Sequence, residues 1–62
     1  MERQIGDYEF VQLINTAISK FPKGINDVSS LVFISKEKIN LWSRGKDLPD
    51  QEMRASVAGV LR

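Results

Sequence analysis

The sequence contains neither cysteine nor histidine. Without cysteine there is no disulfide to staple a small fold and no thiolate metal site. Without histidine the commonest general base at neutral pH and the commonest metal ligand are both missing. There is no glycine-rich phosphate loop, and 62 residues leave little room for a pocket. An enzyme, a cofactor, a metal ion and a small-molecule substrate are therefore not expected. No apolar run approaches the roughly 20 residues that span a bilayer. The first seven residues lack the apolar stretch of a secretory leader, so no membrane association and a cytoplasmic location are expected. No repeat, low-complexity stretch or linker divides the chain, which reads as a single domain over residues 1–62. At this length only a few kcal/mol of net stability is expected.

The net charge of +1 hides an uneven distribution. Residues 1–19 carry −2 and residues 47–62 carry −1, whereas residues 20–46 carry +4. Lys20, Lys23, Lys36, Lys38, Arg44 and Lys46 supply the central excess against Asp27 and Glu37. A local basic face matters more to a polyanion than the total does.

Apolar spacing predicts four short helices and no sheet. Asp7 is suited to cap a helix over about 8–20, in which Val11, Ile14, Ile18 and Phe21 recur at helical spacing and Phe10, Leu13 and Ala17 widen the stripe. Pro22 and Gly24 end it. A second helix over 25–32 follows, with Asn26 able to cap its start and Val28 and Val32 on one face. The run Val32-Phe33-Ile34 also reads as a strand, but an isolated strand has no partner in this chain. Ser35 is a natural cap for a third helix, 35–44, with Gly45 just past its end. A turn through Asp47, Leu48, Pro49 and Asp50 opens a fourth, 50–61, with Pro49 in or near its first turn and the two aspartates as caps. Met53, Val57, Val60 and Leu61 form its apolar stripe.

The second and third helices carry the most demanding pattern. Counting from Ile25 as position one, two helices crossing through a three-residue turn need apolar side chains at positions four, eight, ten, fifteen and eighteen. They also need a small residue at position five, where they approach most closely. The chain supplies Val28, Val32, Ile34, Ile39 and Trp42, with Ser29 at the small site. Trp42 is thus read as core rather than as a stacking platform. Position nine departs from the pattern. Glycine is favoured there because the turn tends to positive φ, yet the residue is Phe33. A distorted or lengthened turn is the expected consequence.

The stretch Gly24-Ile-Asn-Asp-Val-Ser, followed by Ile34-Ser-Lys-Glu-Lys-Ile-Asn-Leu-Trp-Ser-Arg-Gly-Lys-Asp-Leu-Pro49, resembles the λ-repressor-like helix-turn-helix family. Its small phage Cro and early-regulator members are the most similar. Trp42 to Pro49 is the most recognisable run, and the likeness covers about residues 24–61. It implies an all-α, compact bundle of four short helices containing a helix-turn-helix, with the third helix entering the major groove of double-stranded DNA. Lys36, Glu37 and either Asn40 or Leu41 match the family's base readers. Their chemistry suits guanine, cytosine, adenine and the thymine methyl, in the order Lys36, Glu37, Asn40, Leu41. Glu37 reads more readily as a neutral or helix-dipole residue than as a base reader. Phosphate contacts are implied for Lys38, Arg44 and Lys46, and for the helix N-termini near Asn26 and Ser35.

The resemblance implies a transcriptional regulator of repressor type, in a bacterial or phage-infected cell. Such proteins read an inverted-repeat operator as a homodimer, at least on DNA. Exposed residues of the last helix, or the N-terminal segment with Tyr8 and Phe10, are the candidate dimer surfaces. The alternative is an interaction module that keeps the fold but binds a regulator or a polymerase subunit.

Overall fold

A computed structural model describes residues 4–62. It contains four helices, α1 (Asp7–Lys20), α2 (Ile25–Val32), α3 (Lys36–Ser43) and α4 (Gln51–Leu61), and no strand among the described residues. The strand reading of residues 32–34 fails because Val32 completes α2 and Phe33 turns the chain away. None of these helices is long and apolar enough to cross a membrane.

Every helix contributes to one core. Phe10, Ile14 and Ala17 of α1 meet Val28 of α2, Ile39 and Trp42 of α3, and Val57, Ala58 and Leu61 of α4, with Ile5 closing one end. Phe10 and Trp42 pack edge to face, with ring centroids 5.5 Å apart, the geometry that aromatic quadrupoles favour. Two of the expected stripes are rotated. In α1 the line of full burial runs through Phe10, Ile14 and Ala17, leaving Val11, Ile18 and Phe21 only half-buried. In α4, Met53 and Val60 lie exposed, while Ala58 and Arg54 take their places inside.

The burial of Arg54 explains much of the second rotation. Its Nε donates to the Pro49 carbonyl at 2.8 Å and its Nη1 to the Ile5 carbonyl at 2.8 Å. The guanidinium lies 5.8 Å from the Phe10 ring centroid. Its remaining nitrogen pairs with Asp7 at 2.9 Å. Asp7 is therefore not the cap of α1. Gly6 occupies that position without a side-chain bond, and the Asp7 carboxylate serves the buried cation instead. From the first turn it still opposes the positive end of the helix.

The turns follow from local chemistry. Phe21 is extended (φ −86°, ψ 142°), as a residue before proline prefers. Gly24 then adopts φ 56°, ψ −123°, a conformation open in practice to glycine alone. Asn26 does not cap α2, because it lies inside the helix. No side chain caps α2, which starts from Gly24; the Asp27 carboxylate instead reaches back past the helix start and accepts the Lys23 N–H at 3.1 Å.

The α2–α3 turn keeps three residues, Phe33 to Ser35, so the expected distortion does not occur. Phe33 itself takes the left-handed conformation (φ 58°, ψ 41°), at a cost of about 1 kcal/mol or more. Ser29 holds the turn from both sides. Its carbonyl accepts the N–H groups of Phe33 and Ile34, and its hydroxyl donates to the Ile34 carbonyl. The small residue at the crossing thus also supplies the hydrogen bonds that fix it.

Candidate nucleic-acid interface

α3 is held at both ends. Ser35 caps it, its hydroxyl accepting the Lys38 N–H at 3.3 Å. At the other end Gly45 (φ 78°) turns the chain. Its N–H reaches the Trp42 carbonyl at 3.0 Å, and the Lys46 N–H reaches the Leu41 carbonyl at 2.9 Å. This paired closure satisfies carbonyls that a helix end leaves orphaned. The last helical residue is Ser43, so Arg44 lies at the cap rather than inside the helix. Asn15 of α1 ties this end down, its Nδ2 donating to the Ser43 carbonyl at 3.0 Å.

Burial sorts the α3 side chains by direction. Ile39 and Trp42 are buried in the core, and the Trp42 Nε1 donates to the Asp47 carbonyl at 2.8 Å. Val28 is also fully buried, whereas Val32 and Ile34 pack half-buried against the same core. Lys36, Glu37, Lys38, Asn40 and Leu41 are exposed, Leu41 only marginally at 37%. At about 100° per residue, Glu37 and Arg44 project furthest from the Ile39–Trp42 side. Asn40 and Leu41 flank them, and Lys36 and Lys38 stand on opposite rims. The four residues matched to base readers therefore lie on one continuous surface.

The residues assigned to phosphate are less uniform. Arg44 and Lys46 are exposed and have no ion-pair partner among the described residues, and the same holds for Lys36. Lys38 instead pairs with Asp47 at 2.7 Å, with both side chains more than half exposed. Such a pair contributes about 0.2–1 kcal/mol, so a phosphate competes with it readily. Asp47 is accordingly not a cap of α4. Asp50 alone caps that helix, accepting the Met53 N–H at 2.9 Å, and Pro49 lies just outside it. Asn26 and Ser35 are exposed at the starts of α2 and α3. The Asn26 N–H already donates to the Lys23 carbonyl at 3.2 Å. Of Asn26 itself, the side chain is what is left to meet a phosphate.

Sequence reasoning missed the Lys38–Asp47 pair because the loop that makes it has no periodicity. Asp47 adopts φ 52°, folding its carboxylate back towards α3. It also missed an exposed apolar surface at the end of α2 and on α4, formed by Leu31, Phe33, Met53 and Val60. An excess of apolar positions on α4 over what one core face can bury was the available signal. Phe10, a candidate for a dimer surface, is fully buried and cannot serve as one, whereas Tyr8 is exposed.

Comparison with protein-family models, with curated proteins and with solved structures finds no match to this chain.

Proposed function

We propose that this chain is a sequence-specific double-stranded DNA-binding regulator of transcription, of the small Cro-like repressor type, which reads the major groove with α3. One observation carries the reading. A helix braced at both ends buries Ile39 and Trp42 and presents Lys36, Glu37, Asn40 and Leu41 together on its outer side. Side chains of this kind, on a protruding helix, match the donor and acceptor patterns of base edges. The cations Lys36, Arg44 and Lys46, on α3 and just past its end and without an ion-pair partner among the described residues, favour a polyanion. Two copies on an inverted repeat would double the few contacts that one such head can make.

Fluorescence anisotropy with labelled duplexes tests the reading. If Lys38, Arg44 and Lys46 each neutralise one phosphate, affinity falls with a log–log salt slope of about −3 per protomer. Selection from random duplexes should return an inverted repeat. Affinity that ignores salt, or no binding to any duplex, would sink the proposal in favour of a protein-binding module.

A further inference from the structure

We propose that the uncharged face around Phe33 joins two copies of this chain in a two-fold contact, with each Phe33 ring seated in the other copy's groove. The contact names the surface for the dimer in the DNA-binding reading, but it uses none of the residues assigned to DNA and is tested without DNA.

Phe33 is the starting point. Its side chain is 93% exposed, and its backbone is left-handed. Glycine would fit that backbone better, and the hydrogen bonds of the turn run through Ser29, Ser35 or the main chain. The ring therefore does nothing for the turn that carries it. It also has company, since Leu31, Met53 and Val60 beside it are each more than 40% exposed. On α4, Met53, Ser56 and Val60 stand at i, i+3 and i+7, so they form one flank.

Between this flank and the end of α2 lies a groove of about 130 Å³, lined by Leu31, Val32, Met53, Val57 and Val60, with Phe33 on its rim. The Ser56 hydroxyl is its single polar side chain, and no charged residue lines it. An apolar cavity of about 150 Å³ is known to accept a benzene ring, so the groove is of phenyl size.

A second copy is the occupant that both shape and charge favour. Knob and hole sit on one face, which is what a self-complementary contact requires. A two-fold contact also sets each patch against itself, so a charged patch would meet its own sign. This face carries no charge, unlike the lysine-bearing surface of α3. A standard interface takes about 800 Å² per partner, close to a fifth of this chain's 4313 Å². The dimer this contact makes is concentration-dependent.

Sedimentation equilibrium of the full chain, without DNA, tests this. The wild type should pass from a 7.0 kDa monomer to a dimer as concentration rises. Phe33→Gly should weaken the dimer at least tenfold (about 1.4 kcal/mol), while dilute protein melts at the same temperature or higher. Val60→Ser, which leaves the turn untouched, should weaken it as well. Isotope-filtered NOEs on a mixed labelled sample should connect the Phe33 ring with Met53 and Val60 methyl groups of the other copy. A chain that stays monomeric up to about 1 mM, variants that associate as tightly as the wild type, or a dimer lacking those NOEs would overturn it. Failure of DNA binding alone would leave this contact standing.

Discussion

Arg54→Ala is the most informative change to the fold, because the buried guanidinium links three separate segments. Its effect can be worked out group by group. The substitution removes two buried methylenes of the stem, Cγ and Cδ, at roughly 0.8 kcal/mol each. The Pro49 carbonyl loses its only donor among the described residues, worth about 1 kcal/mol at a half-buried site. The Ile5 carbonyl keeps the Gln51 Nε2 at 2.9 Å and loses little. The cation over Phe10 adds about 0.5 kcal/mol. Asp7 is 76% exposed and is simply rehydrated, so its pair counts for little. Against these losses stands about 1.5 kcal/mol of side-chain entropy regained. The expected net cost is about 1–2 kcal/mol, against a total of about 3–9 kcal/mol for a chain of this length. Urea unfolding followed by far-UV circular dichroism and by the single tryptophan measures it. Asp7→Asn is the control and should lie within about 0.5 kcal/mol of wild type. The reasoning is refuted if Arg54→Ala is equally mild, or if Asp7→Asn is as damaging as Arg54→Ala.

Other changes probe the α3 surface and its support. Trp42→Phe removes the donor to the Asp47 carbonyl and should cost about 1–2 kcal/mol; an unchanged urea midpoint would mean the loop needs no such bond. Lys36→Ala should relax preference at one base pair by about 1–3 kcal/mol, whereas Lys46→Ala should weaken all duplexes alike and flatten the salt slope by about 1. Anisotropy against a panel of single-substituted sites separates them, and equal losses everywhere for both variants would remove Lys36 from the base readers.

The number, order and approximate limits of the helices were determined by the sequence itself. Prolines, glycines and short polar residues act on the backbone beside them, so Ser35, Gly45 and Asp50 announce the ends they make. The crossing of α2 and α3 was legible for the same reason, since Val28, Ser29, Ile39 and Trp42 are close in sequence and their spacing encodes one packing geometry. Only the tertiary structure decided which side chains at the margins go inside. Asp7 and Asp47 look like caps locally, but a buried Arg54 far along the chain claims the first, and a folded-back loop turns the second to Lys38. Met53 and Val60 read as core because apolar periodicity gives the width of a stripe but not its rotation. That rotation was set by Arg54, whose guanidinium satisfies the Ile5 and Pro49 carbonyls from inside the fold. Phe33 was recognised as the wrong residue for its turn, yet its exposure beside the Met53–Val60 flank became visible only once α2 and α4 were packed together.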